Sequence, residues 1–250
     1  MKKTEYTLSG NRFGRHLCFA IVSDLHGGDP TEVLRVLAEE CPDFILMPGD
    51  IFERLDGTED RTHANGFALL RGAARIAPTL YSTGNHEDGS TRSWCPKGLR
   101  HRVSARFYDP RDRERIAQTG AILLEDSFVC VEGIAFGGLA SGLVHEDGAP
   151  STAWLSELCA QQAPRVLLCH HPEYYPRYLS SLPLDLIVSG HAHGGQWRFF
   201  GRGVFAPGQG IFPKYTAGVH DDRLVVSTGL KPSGTIPRIF NPPEIVFIRA

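Results

Sequence analysis

Long apolar runs, paired cysteines and a dominant charge are all missing from this chain of 250 residues. No stretch approaches the ~18 apolar residues that a membrane span requires, so no membrane span is expected. The opening residues carry Lys2 and Lys3 but turn polar at Thr4, Glu5, Ser9, Asn11 and Arg12, without the apolar centre of an export signal. The expected location is therefore cytoplasmic. Cysteines Cys18, Cys41, Cys95, Cys130, Cys159 and Cys169 fall at irregular spacings with no C-x-x-C, which argues against a disulfide scaffold and for reduced, mostly buried thiols. Basic and acidic residues nearly cancel, 26 against 28, for a net charge of −2. No global field draws the chain to nucleic acid or acidic lipid, so partners must be argued locally. Repeats, low-complexity tracts and linkers are absent as well, and residues 1–250 read as one domain. With 42% hydrophobic and 22% charged residues, the composition is that of an ordinary globular protein.

What is present is a series of short buried runs that end in polar clusters. Leu17 to Val22 reads as a strand ending at Ser23-Asp24, and Phe44 to Met47 as a second ending at Pro48-Gly49-Asp50. Thr79 to Ser82 is a third, ending at Gly84-Asn85-His86-Glu87. Between them, Asp29-Pro30-Thr31-Glu32 reads as a cap, a first-turn proline and a capping-box acid opening a helix that Pro42 closes. A second helix is expected around Phe67 to Ile76. Strand, polar loop and helix in succession predict an α/β architecture that gathers ligands at the C-terminal ends of its strands. The second half reads as close-spaced strands: Ala121 to Leu124, Phe128 to Val131, Ile134 to Gly137, Arg165 to Cys169 and Leu184 to Val188. The last two lead into His170-His171-Pro172 and Ser189-Gly190-His191-Ala192-His193. A helix is expected over Trp154 to Ala160, and Trp197 to Phe200, Leu224 to Ser227 and Ile245 to Ile248 are further strands.

Every one of these clusters holds side chains that bind metal through oxygen or imidazole nitrogen: Asp24 with His26, Asp50, Asn85 with His86, His170, and His191 with His193. Taken singly each is ordinary turn or cap chemistry. Their order along the chain resembles the block signature of the calcineurin-like metallophosphoesterases. The stretch Gly190-His191-Ala192-His193-Gly194-Gly195-Gln196, with Phe240-Asn241-Pro242-Pro243-Glu244-Ile245 later, is similar to one bacterial branch of that superfamily. The resemblance implies a four-layer α/β/β/α sandwich of two mixed sheets around two metal ions. It places Asp24, His26 and His193 on the first ion, Asn85, His170 and His191 on the second, and Asp50 between them. His86 would assist without ligating, with Glu87 as an acid able to orient it. His171 beside His170 would point to the opposite face by strand alternation.

The chemistry asks for such a set independently. Hydrolysis of a phosphate ester at neutral pH needs a water acidified by metal, and two ions ~3.5 to 4 Å apart can bridge a hydroxide for in-line attack while clamping the phosphate. A mixed imidazole and carboxylate shell suits divalent or trivalent transition metals, manganese first, with iron, zinc or nickel as alternatives. The expected substrate is a small anionic phosphorylated molecule, whether monoester, diester or nucleotide-linked pyrophosphate. The alternatives are a nuclease on the same metals, disfavoured by the balanced charge, and a non-catalytic scaffold of the same fold.

Three basic features could bind that substrate. Arg54 follows Asp50 in Asp50-Ile51-Phe52-Glu53-Arg54 and reads first as a solvated residue at a helix start, then as a phosphate ligand. Arg198 follows Gln196 closely. The segment Arg92 to Arg115 carries eight basic residues against three acidic ones and could form an anion-recruiting lip or a solvated loop. His16, His63, His101, His145 and His220 lack a metal-spaced partner and are expected to be surface or satisfied histidines.

Overall fold

The structure is a computed structural model that describes residues 1–55, 60–88, 110–142, 148–231 and 237–250. In chain order its elements are β1 (Lys2–Thr7), β2 (Cys18–Ile21), α1 (Thr31–Glu40), β3 (Phe44–Pro48), α2 (Arg61–Ala74), β4 (Thr79–Ser82), α3 (Pro110–Ala117), β5 (Ile122–Leu124), β6 (Ser127–Val131) and β7 (Ile134–Leu139). They continue with α4 (Leu155–Cys159), β8 (Arg165–Cys169), β9 (Leu186–Ser189), the two-residue strands β10 (Arg198–Phe199), β11 (Arg202–Gly203), β12 (Phe205–Ala206) and β13 (Gly210–Ile211), then β14 (Gly218–His220), β15 (Leu224–Val226) and β16 (Glu244–Arg249).

Two six-stranded sheets result, ordered β1-β16-β2-β3-β4-β5 and β14-β15-β9-β8-β7-β6. Both are mixed: β2, β3, β4 and β5 run parallel, as do β7, β8, β9 and β15, while β16 meets β2 and β6 meets β7 antiparallel. The central strands are buried along their whole length because both of their faces are covered, so they read as continuous apolar runs rather than alternating ones. Between the sheets lies a core of Phe19, Ile21, Phe44, Leu46, Phe136, Val166, Leu168 and Val188. Ring contacts carry it across the gap, Phe19 to Phe44 at 5.7 Å and Phe44 to Phe136 at 5.0 Å. A second core lies between the first sheet and α1 and α2, built from Val33, Val36 and Leu37 against Ile45 and Met47. The third lies outside the other sheet and includes Leu155 and Leu158 of α4. These three cores separate the four layers of an α/β/β/α sandwich.

Local details depart from the sequence reading where polar residues carry the structure. At α1, Asp29 accepts the Thr31 N–H at 2.9 Å, whereas Glu32 pairs with Arg35 at 2.7 Å instead of closing a capping box. Helix α2 begins well before Phe67, because Asp60 caps it by accepting the N–H groups of Thr62 and His63 at 2.8 and 3.0 Å. Strand β1 has no apolar run to announce it. It is a lysine-bearing edge strand that pairs parallel to β16. Among the described cysteines, Cys18 and Cys169 are buried but Cys41 and Cys130 are exposed, so burial is less general than expected. Among the described residues, no helix is long and apolar enough to cross a membrane.

Candidate metal centre

Strands β2, β3, β4, β8 and β9 deliver their C-terminal ends to one region, and their loops are laced by main-chain bonds. Asp24 N–H donates to Gly49 O at 3.2 Å, His26 N–H to Asp50 O at 2.9 Å, and Gly190 N–H to His170 O at 3.2 Å. The backbone there is strained. Asp24 (φ 56°), His26 (46°), Asp50 (55°), His191 (63°) and His193 (45°) all adopt the left-handed conformation that non-glycine residues avoid. Close approach fixes the neighbouring glycines. A Cβ on Gly190 would lie 2.5 Å from Asp24 Oδ2, and one on Gly49 would lie 2.7 Å from His170 Nδ1.

Two groups of buried side chains converge as a result. Asp24, His26 and His193 form the first, and Asp50, His170 and His191 the second; within each, candidate ligand atoms lie within 4.8 Å of one another. Asp50 stands between them, its Oδ2 lying 3.1 Å from His170 Nε2, 3.9 Å from His26 Nε2 and 4.0 Å from His86 Nε2. Asn85 is buried on the turn after β4, next to His86, whose backbone N–H donates to Asp50 Oδ1 at 3.0 Å. Imidazole orientation is set from behind. His170 donates from Nδ1 to Pro48 O at 2.7 Å, and His193 Nδ1 faces Lys231 O at 3.0 Å, which leaves both Nε2 atoms facing the carboxylates.

Electrostatics decide whether this set suits a cation. Burial would raise the carboxyls of Asp24 and Asp50, but the surrounding imidazoles outweigh it and hold both below the usual range, Asp50 furthest. Burial pulls His193 down to about 4 and His191 well below its ordinary value, so both are neutral and ready to donate a lone pair near pH 7. His170 behaves oppositely. Burial lowers it, yet Asp50 dominates and lifts it to about 10. Positive charge is thus favoured beside Asp50, as a cation there would be. Asp24 Oδ2 is buried and accepts no hydrogen bond among the described residues, and His26 Nε2 and His193 Nε2 face each other at 3.4 Å beside the same carboxylate. A buried carboxylate with one oxygen lacking a donor among the described residues and the other 3.5 Å from His193 Nε2 fits a divalent metal ion.

His86 differs from the rest in access. Its side chain is 20% exposed, against 3% for His26, 0% for His170, 7% for His191 and 4% for His193. Among these rings it is the most open to solvent. Its orienting acid is not Glu87. That carboxylate is fully buried and accepts the backbone N–H groups of Asp50 (2.9 Å), Gly84 (2.8 Å) and Phe52 (3.0 Å), clamping two loops together. Glu53 takes the position instead, with Oε1 3.4 Å from His86 Nδ1 and Oε2 3.3 Å from His26 Nδ1. One carboxylate therefore turns both Nε2 atoms toward Asp50.

The remaining candidates lie at varied distances from the centre. His171 is buried beside it, 2.8 Å from Ser141 Oγ through Nε2 and 3.2 Å from Glu173 Oε1 through Nδ1. Glu173 also comes within 3.6 Å of His191 Nε2, a backing pair that strand alternation did not suggest. Arg54 stands in a loop, not at a helix start, 3.8 Å from Asp60. Arg198 donates to Gly194 O at 2.9 Å and to Gly201 O, which commits its guanidinium to the loop carrying His193. Most of the basic segment, residues 92–109, lies outside the described residues, as do His101 and His145. Arg113 and Arg115 at its end pair with Glu125 and Asp112. His63 is buried near Asp112 and His16 is exposed.

Comparison with known proteins adds the family. The calcineurin-like phosphoesterase profile matches residues 18–195. A Bos taurus protein described as a transmembrane protein with metallophosphoesterase domain is 28% identical over 191 residues, which are 72% of this chain and 41% of that protein. An uncharacterized metallophosphoesterase of Campylobacter jejuni is 25% identical over 239 residues, 90% of this chain and 55% of its own length. The chain spans about half the length of these curated relatives. Among solved structures, the TT1561 protein of Thermus thermophilus aligns with a TM-score of 0.46 at 16% identity, covering 70% of this chain and 82% of that one. The matched span runs from β2 through the His193 turn and includes every strand end described above, so the chain belongs to the calcineurin-like phosphoesterase family.

Proposed function

We propose that residues 1–250 act as one dinuclear phosphoesterase unit that hydrolyses a small anionic phosphorylated substrate. Asp24, His26 and His193 would hold one cation, Asn85, His170 and His191 the other, and Asp50 both. The observation that carries this reading is the position of the Asp50 carboxylate between the two buried groups, within 4 Å of imidazoles from each. When bound, two transition-metal ions, manganese foremost, neutralise phosphate charge and acidify a water.

The chain's own residues supply the rest. Asp24 and Asp50 offset the charge of the cations, and their sheltered positions keep competing waters out. His86, open to the approach side and held by Glu53 through Nδ1, presents Nε2–H to a phosphate oxygen or to the departing alkoxide. In the metal-free site burial lowers its pKa, but Asp50 and Glu53 outweigh burial and raise it to about 9. Arg198 acts at a distance by fixing the Gly194 turn.

The test pairs metal analysis of the purified chain with hydrolysis of chromogenic phosphomonoesters and diesters. Two equivalents of transition metal and chelator-sensitive turnover are expected. Turnover unaffected by exhaustive chelation, or a single equivalent at full activity, would overturn the reading. The diester to monoester ratio assigns the bond that is cut.

A further inference from the structure

Large apolar side chains are exposed in one place. Apart from Met1, every exposed large hydrophobic among the described residues lies between Trp197 and Phe240: Trp197, Phe199, Phe200, Ile211, Phe212, Ile239 and Phe240. Phe200 is fully open, and Phe212, Phe240 and Ile211 are 76%, 76% and 72% exposed. Phe200, Phe212 and Phe240 belong to separate turns, yet each has a left-handed backbone, at φ 50°, 51° and 51°. Bulky residues rarely take that conformation, which here puts an aromatic ring at the tip of each turn.

Main-chain bonds join these turns into a continuous platform. Arg198 N–H donates to Ile239 O at 3.0 Å, Val204 N–H to Trp197 O at 2.9 Å, and Phe212 N–H to Val204 O at 2.8 Å. The Phe199 and Phe240 rings meet at 5.8 Å. The platform is also tied to the metal centre, since Asn241 Nδ2 donates to His193 O at 2.7 Å and to Gln196 O at 3.1 Å.

Charge distinguishes the possible occupants. From Leu186 to His220 the chain carries Arg198, Arg202 and Lys214 and no carboxylate. Arg198 is spent on main-chain carbonyls, while Arg202 and Lys214 are exposed beside the aromatic tips. Glu173, which reaches under Gly208, is only half-exposed or less and belongs to the His191 side. Protruding aromatics flanked by cations suit the boundary between acyl chains and anionic headgroups. A second copy of this chain would offer the same cations, a poor complement to itself. We propose that the turns bearing Phe200, Phe212 and Phe240 dock this protein peripherally on an anionic lipid surface, with Arg202 and Lys214 facing the headgroups. The docking needs neither metal nor turnover, so it stands apart from the proposed reaction.

The test is co-sedimentation of the full chain with vesicles of phosphatidylcholine alone or mixed with phosphatidylglycerol, at low and high salt. Binding to the mixed vesicles is expected, weakened by salt and by Arg202→Glu with Lys214→Glu. The triple variant Phe200→Ser, Phe212→Ser and Phe240→Ser should bind about tenfold more weakly or less. It should keep the parent's melting curve and its hydrolysis of soluble esters, because all three side chains face solvent. Failure of the parent to bind mixed vesicles, or equal binding by the triple variant, overturns the proposal. So does a dimer in sedimentation velocity that the triple variant dissociates in the absence of vesicle binding, which would assign the patch to a second copy.

Discussion

The first sheet sends carboxylates as well as imidazoles to the centre, through Asp24, Asp50, His26 and the Glu53 loop, whereas the second sends His170, His191 and His193. The carboxylate that the second side adds, Glu173, stands behind His191 and His171. Neither half could hold a cation well alone. Imidazoles without an anion would lack charge, and the carboxylates without imidazoles would rise toward neutrality in a dry environment. Each buried group therefore draws from both sheets, and the site exists only where the core between the sheets holds them in register.

The strongest way to break this comparison is to remove what both groups share. Asp50→Asn keeps the size of the side chain and deletes its charge, so turnover should fall on the order of a thousandfold, the several kcal/mol that charge stabilisation at a metal-assisted centre supplies. Metal content should fall with it, read by elemental analysis. Loss of rate with both equivalents retained would mean that Asp50 is not shared. The core offers the next largest effect. Phe136 of the second sheet is fully buried against Phe44 of the first, and Phe136→Ala should cost about 3 to 5 kcal/mol. Because cations would link the sheets, saturating metal should restore about 3 to 4 kcal/mol at a hundred to a thousand times the dissociation constant. Denaturant unfolding with and without metal reads both numbers. Stability indifferent to metal would mean that the folded centre does not bind it.

Much of this comparison could be read from sequence, and the reason is physical. A parallel strand buried on both faces is an uninterrupted apolar run, so Phe44 to Pro48 and Arg165 to Cys169 announce themselves, and the polar residues just past them are at strand ends by construction. What stayed hidden depended on contacts between distant residues. Nothing local tells that Glu87 turns away to bind three backbone N–H groups while Glu53 reaches two imidazoles. Strand β1 was equally silent, since an edge strand needs no apolar run. The exposure of Phe200, Phe212 and Phe240 was silent too, because hydrophobicity alone does not reveal which way a turn points.

A smaller effect separates binding from assistance within the first sheet. His86→Ala should lower kcat about a hundredfold, the range for a general acid or a single oxyanion donor, while both metal equivalents remain. Parallel loss of metal would make His86 a ligand, and the two sheets would then contribute to the ions differently from the pattern above.

The finest contrast rests on Glu53, which acts through His86 and touches no candidate ligand atom on the second sheet. Glu53→Gln should lower kcat about tenfold with little change in KM, the scale seen when an orienting partner is lost. Its sharper signature is a titration. In the metal-free protein burial lowers the His86 pKa, but Asp50 and Glu53 raise it to about 9. A folded-state value above the ordinary one, about 6.5, means that protonated His86 favours the fold fully below about pH 6.5. That contribution disappears as pH rises through about 9. Removing the Glu53 charge leaves Asp50 and the weaker Glu87 against burial, so the midpoint must move down and the upper limit of the window with it. Histidine ring-proton resonances of the metal-free parent and variant measure the shift directly. A His86 midpoint that does not move in Glu53→Gln would mean that Asp50 and Glu87 set its basicity, and Glu53 would then be a positioning residue for His26 only.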